Sequence, residues 1–184
     1  MPKPHTELDA TIRAFIEAQR MFFVATAPAG PGGHINLSPK GLDTLRIFDA
    51  RTIAYLDHVG SGAETIAHLR ENGRIVFMFC AFEGAPKIVR VHGTGNVVEA
   101  GDPGYSDLRR RFPSGEEGRS VIRVSVERVS DSCGFGVPLY AYQGQRNHLA
   151  EWEARKGEQG LLDYQREKNR ISIDGLPALK MTSR

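Results

Sequence analysis

Residues 74–99, RIVFMFCAFEGAPKIVRVHGTGNVVE, place two β-prone runs on either side of a short turn. RIVFMFCAF (74–82) is apolar almost throughout, which predicts a strand buried on both faces. KIVRVHGTGNVVE (87–99) alternates until Gly93 and Gly95, so it predicts a long strand kinked at those glycines. If Val89 and Val91 face the core, Ile88, Arg90 and His92 share the opposite face. An arginine in mid-strand then needs an anionic partner or a wet cleft.

Working outward, FFVATA (22–27) and HINLS (34–38) are joined by PAGPGG and read as a hairpin. TIAYLD (52–57) is a further strand, and RSVIRVSVERVSD (119–131) alternates like a long edge or barrel strand. Leu8, Ile12, Phe15 and Ile16 recur at helical spacing up to about Arg20, behind a cap at Thr6 with Asp9. SGAETIAHLREN (61–72) is a second helix, stopped by Gly73, and the break at 100–118 holds one short helix. The late run GVPLYAYQGQRNH (136–148) is aromatic and alternating, and from Arg146 to Arg170 the chain is charged and helical in character. Hairpins outnumber strand-helix alternations. This predicts a mainly antiparallel barrel with helices at its rims, in one domain spanning 1–184 with a helical C-terminal extension at about 146–184.

The 184 residues, 40% hydrophobic, suffice for one well-filled core. A formal charge of +2, from 24 basic and 22 acidic residues spread along the chain, gives no case for nucleic acid or an acidic membrane as partner. A small molecule or a protein is the expected partner. Cys80 and Cys133 are too few for a disulfide framework, and no run of about 18 uncharged apolar residues occurs. A cytoplasmic protein is expected.

Several chemistries find no support. His5, His34, His58, His68, His92 and His148, with the two cysteines, have no zinc spacing, so no metal site is expected. GTG (93–95) lacks a third glycine, and no serine sits in a nucleophile elbow. DHVGSGAET (57–65) is more suggestive, because a glycine-bearing turn at a helix start can seat a phosphate on backbone amides. Ser61 and Glu64 also satisfy capping-box spacing, in which case the turn only begins a helix. In NLSPKG (36–41), Ser38 and Lys40 project from a strand end, with Lys40 as a point charge for a phosphate or a flavin carbonyl. KIVRVHG adds Arg90.

This order of motifs resembles the FMN-binding split barrel of the pyridoxamine 5′-phosphate oxidase superfamily over about residues 12–148. The matching pieces are Lys40, Leu69 with Asn72, Val89-Arg90-Val91 with Gly93, and Pro138, Tyr142-Gln143-Gly144 and Arg146. The resemblance implies a six-stranded antiparallel split β-barrel with peripheral helices and a homodimer with FMN at its interface. It also implies that Tyr140, Tyr142, Gln143 and Arg146, on a late aromatic strand, close the flavin pocket. The cofactor residues it points to are Ser38, Lys40, Tyr55, Leu56, Asp57, Ser61, Gly62, Thr65, Arg90, Tyr142, Gln143 and Arg146. Two departures stand out. Ala63, Glu64 and Thr65 occupy the place of the family's Ser-Arg-Lys phosphate grip, and Ile88 replaces its Gln. The implied activity is an FMN-dependent oxidoreductase acting on an unidentified small molecule, with no acid or base assigned. The alternatives are a flavin- or haem-binding barrel without turnover and a deazaflavin-dependent reductase.

Overall fold

The computed structural model describes residues 5–113 and 118–180. In chain order the elements are α1 (Ala10–Ala18), β1 (Phe22–Thr26), β2 (Asn36–Lys40), β3 (Leu45–Asp49), β4 (Thr52–His58) and α2 (Glu64–Asn72). β5 (Arg74–Cys80), β6 (Ile88–Glu99), α3 (Tyr105–Arg109), β7 (Gly118–Ser132) and α4 (His148–Lys168) follow. Every pairing is antiparallel, in one seven-stranded sheet ordered β2-β1-β5-β6-β7-β4-β3. The expected antiparallel split barrel is therefore present with one strand more than the six expected. The extra strand is β3, which sequence reading left out.

The sheet curls until its two ends meet. β2 and β4 are far apart in strand order, yet the Lys40 ammonium on β2 lies 2.9 Å from the Asp57 carboxylate on β4. Thr44, between β2 and β3, accepts a hydrogen bond from the Leu56 amide at 2.9 Å. The concave side holds the main core, with Val24, Ile53, Tyr55, Phe77, Phe79, Val89, Val91, Ile122 and Val124 buried. Ile12 and Ile16 of α1 and Ile66 and Leu69 of α2 close it, as does Leu179 from the tail. Phe22, Tyr55, Phe77 and Phe79 form its aromatic centre, with ring centroids 5.7–5.9 Å apart for the three contacts of Phe22. On the convex side, α3 and Phe112 cover Ala54, Leu56 and Val121 in a second cluster.

Four local expectations need correcting, and two are borne out in a narrower form. RIVFMFC is buried on one face only: Ile75, Phe77 and Phe79 point inward, while Val76 and Met78 are half-buried on the convex side. Of the edge and barrel placements expected for the long strand at 119–131, the structure has the barrel one, since β7 pairs with both β4 and β6. α1 is capped by Asp9, whose side chain accepts from the Ile12 amide, rather than by Thr6. The Ser61–Glu64 capping box does not form, because Ala63 is the N-cap and no side chain caps it. The late aromatic run is irregular and unpaired, not a strand. The helix expected at 146–170 is present as α4, bent at Gly157 (φ 66°, ψ 171°), a conformation open to glycine and strained for other residues.

Three other local expectations hold in the structure. Gly73 ends α2 in the left-handed region at φ 71°. Val89 and Val91 are fully buried while Arg90 and His92 lie on the other face. At Gly93 the β6–β7 register shifts, and a Cβ there would meet the Ser125 carbonyl oxygen at a clashing distance.

Candidate functional site

Where the curled sheet closes, β2 delivers Lys40 and β4 delivers Tyr55 and Asp57. Asp57 is fully buried, with Lys40 Nζ 2.9 Å from one oxygen and Arg119 Nε 2.8 Å from the other. Burial alone pushes the Asp57 carboxyl up, but Arg119 and Lys40 overcome it and hold it at about 2. The trio is one anion between two cations, so it keeps a net positive charge, and Lys40 also lies over the Tyr55 ring at 5.3 Å. Arg119 further donates to the Gly60 carbonyl at 3.2 Å, which Asn169 reaches from beyond α4 at 2.7 Å. The turn after β4 is thus tied to the trio and to the C-terminal tail together.

Behind the trio, Ser38 donates to Asn36, and Asn36 donates to the buried Thr65 hydroxyl at 2.9 Å. Thr26 meets His68 Nδ1 at 3.0 Å, and burial pushes His68 below its ordinary range, which favours the neutral ring. The Tyr55 hydroxyl, fully buried, makes no hydrogen bond of ordinary geometry among the described residues. Burial, with Asp57 adding to it, raises its pKa well above the usual phenol value.

The irregular late segment lies across the mouth of the barrel. Tyr140 donates its amide to Phe82 and stacks on that ring at 5.5 Å, while the Tyr142 amide donates to Glu83 Oε1 at 3.1 Å. Arg20 sits over the Tyr142 ring at 5.2 Å. Between this segment and the strand ends lies a cleft of about 560 Å³ lined by Arg20, Pro39, Lys40, Tyr142, Arg146 and His148, among others. A second cleft of about 330 Å³ adjoins it and shares Arg20, Met21 and Tyr142, with Phe82, Tyr140 and Gln143 in its wall.

The structure therefore brings Lys40, Tyr142 and Arg146 to one cleft, with Gln143 in its neighbour and Tyr55 and Asp57 directly beneath Lys40. Ser38 and Thr65 join the polar cluster behind. Other expected residues lie elsewhere. Leu56 faces the convex cluster, and Arg90 lies on the convex face of β6, where it donates to Ser132 at 3.2 Å. Ser61 and Gly62 are exposed at the start of α2, where Glu64 has turned back: a Cβ on Gly62 would lie 2.6 Å from Glu64 Oε2, and Glu64 accepts from the Ile173 amide. That carboxylate brings a negative charge to the first turn of α2. The flat rings and cations of the cleft, by contrast, fit a planar ligand such as a flavin. Sequence reading missed Arg20, Arg119 and Asn169. An arginine opening the otherwise apolar run RSVIRV was the one available signal for Arg119. Among the described residues no group of three or more His, Cys, Asp or Glu is placed to hold a metal ion, and no helix is long and apolar enough to cross a membrane.

Residues 8–133 match the family described as pyridoxamine 5′-phosphate oxidase. The pyridoxamine 5′-phosphate oxidase family protein ustO of Aspergillus flavus is 38% identical over 203 residues, taking in 100% of this chain and 80% of the relative. Among solved structures, HupZ of Group A Streptococcus is similar at TM-score 0.52 and 22% identity, over 73% of this chain and 98% of that one. A candidate pyridoxamine 5′-phosphate oxidase of Lactobacillus delbrueckii gives TM-score 0.55 at 18% identity, over 68% of this chain and 95% of that one. The two structures speak for the fold, and the two sequence matches speak for the family.

Proposed function

Because the chain belongs to the pyridoxamine 5′-phosphate oxidase family, we propose that it binds a flavin, FMN, in the cleft beside Lys40, Tyr142 and Arg146 and acts as an oxidoreductase on a small molecule. One observation carries this reading: residues more than a hundred positions apart, Lys40 on β2 and Tyr142 and Arg146 on the late segment, line the same cleft. A bound flavin supplies hydride transfer. The protein's part is to hold it. Tyr142 offers a flat face, Arg146 a planar fork of donors, and Lys40 a charge whose position Asp57 and Arg119 fix from below.

The same reading makes the protein a homodimer. On the convex face Leu37, Ala25 and Val76 run across β2, β1 and β5, with Phe23 and Met78 beside them, and among the described residues no helix covers them. Ile35 and Leu37 are 77% and 63% exposed at the sheet edge, which suits burial against a second copy. Cys80 and Cys133 are free thiols, which suits a reducing cytoplasm.

The test is a flavin titration of the purified protein and of Arg146→Ala, with melting curves of both apo proteins. The expected result is an FMN affinity at least tenfold weaker in the variant with little change in melting, since an exposed arginine kept for a ligand contributes little to the empty fold. Equal affinities would remove the late segment from the site. Absence of flavin binding by the wild type would end the cofactor reading.

A further inference from the structure

β2 is the strand whose register its own sequence holds least. It ends the sheet order, pairs with β1 alone among the described residues, and buries none of its side chains fully. Pro39 also removes one donor from its ladder. Register is normally fixed by which side chains are buried, and a slip of one residue turns every side chain to the other face. In β2 that slip would carry Lys40 away from Asp57 to the convex side. Contacts outside the ladder therefore hold the strand. Lys40 meets Asp57 at one end, and Asn36 meets Thr65 near the other. A third contact lies two residues ahead of the strand, at His34, and its partner comes from the C-terminal tail.

Residues 169–180 lie beyond the matched family region, 8–133, and fold into a tight hairpin. The Ala178 amide donates to Arg170 at 2.8 Å, the Ser172 amide to Leu176 at 2.9 Å, and Gly175 turns the chain at φ 76°. The root of this hairpin is fixed. Asn169 is fully buried with its side chain on the Gly60 carbonyl, and Ala178 and Leu179 enter the main core. Its tip leans on the loop between β1 and β2. Asp174 accepts from the His34 amide at 2.8 Å and lies 2.6 Å from the ring Nδ1, which together hold its carboxyl below the ordinary range. The first half of that loop is tied elsewhere, Ala29 to Glu71 and Ala27 to Asn72 of α2. Asp174 anchors the half that leads into β2.

We propose that the tip of the C-terminal hairpin sets the register of β2, with Asp174 a positioning residue that acts through His34 to keep Lys40 on the concave side. Two donors from one residue converge on a single carboxylate, which fixes the direction of the chain as well as its distance. The Asp174 side chain is only 13% exposed, so this contact is better shielded than an ordinary surface pair. The root and the tip differ in how they open. Freeing the root exposes core residues, whereas freeing the tip costs one exposed histidine its partner and lets β2 fray or slip alone. This rests on the flavin reading only for ligand affinity, and the strand register stands without it.

Amide hydrogen exchange of the intact chain at neutral pH, followed by mass spectrometry, tests this. Asp174→Ala is expected to speed exchange in residues 34–40 about tenfold while β7, which reports global unfolding, stays as in wild type. Asp174→Asn keeps an acceptor oxygen for the His34 amide and should recover part of the protection. His34→Ala loses the ring but keeps the amide, so it should fall between wild type and Asp174→Ala. Asp163→Asn, on α4 and paired with Arg166, should leave residues 34–40 unchanged. Exchange there within about twofold of wild type in Asp174→Ala would overturn the register role. So would an equal rise in β7, which would make Asp174 an ordinary contributor to global stability. Flavin titration gives the second readout. Where wild type binds FMN, Asp174→Ala should bind it at least threefold more weakly, and FMN should in turn slow exchange in residues 34–40. Equal affinities would overturn the link from Asp174 to Lys40. A wild type that takes no FMN ends the cofactor reading, and the exchange result then decides the register role by itself.

Discussion

Asp57 is a carboxylate with no exposure to water, kept ionised by Arg119 and Lys40. Its pKa falls on folding, from an ordinary 3.8 to about 2, so the charged form favours the fold. The sign follows from that direction. The stabilisation is fully present above about pH 4 and is lost as pH drops through about 2, amounting to about 2 kcal/mol. Asp57→Asn should cost about 3–5 kcal/mol at pH 7, because it leaves two cations facing each other in a buried site. Its deficit against wild type should narrow by about 2 kcal/mol between pH 5 and pH 2, which urea unfolding of both proteins across that range would measure. A deficit independent of pH would mean that Asp57 acts through packing alone. At this scale the sequence was half legible. Lys40 and Asp57 sit in stretches that strand ends and turns make conspicuous, so both were expected in the site. Arg119 was not, because its partner lies 62 positions away and only the curl of the sheet joins them.

Strands were legible wherever an apolar period repeated, as in β1, β4, β5, β6 and β7. β3 (LRIFD) escaped because it is only five residues long and lies between turn formers. The tyrosine run looked like a strand because Tyr140 and Tyr142 alternate with smaller residues. Pro138, Gly136 and Gly144 interrupt it, however, and its backbone bonds to the Phe82 carbonyl and the Glu83 side chain instead. The false capping box has a similar origin. Glu64 finds an amide at Ile173, more than a hundred residues on, and local spacing carries no trace of that competitor. The kink in β6 was visible in its glycines and has a sharp consequence. At the bulge, backbone rather than a flexible side chain blocks a Cβ on Gly93. Gly93→Ala should therefore cost about 2–3 kcal/mol, near the upper range for overpacking. A denaturation midpoint equal to wild type would show that the bulge can slip.

For the whole molecule, the apolar stretch of the convex face over β2, β1 and β5 is the feature that most calls for a partner. Sedimentation at micromolar concentration should give a species of twice the 20.3 kDa chain, and Leu37→Lys with Val76→Lys should shift it to the monomer. A wild-type protein that sediments as a monomer would leave Leu37, Ile35 and Val76 as exposed surface and remove the homodimer from the proposed function. The main core raises a different matter, that of order in time. It joins Leu8, ahead of α1, to Ala178 and Leu179, beyond α4, within one cluster. Strands made early on the ribosome can pair as they emerge, but the flank that these late residues fill stays open to solvent until residue 179 has cleared the exit tunnel. Contacts of such long sequence separation are formed against a large loop-closure entropy, so they come late and slowly. During that interval Ile66, Leu69 and their neighbours are the surface a nascent-chain chaperone would meet, and a chain interrupted shortly before residue 178 would keep presenting it.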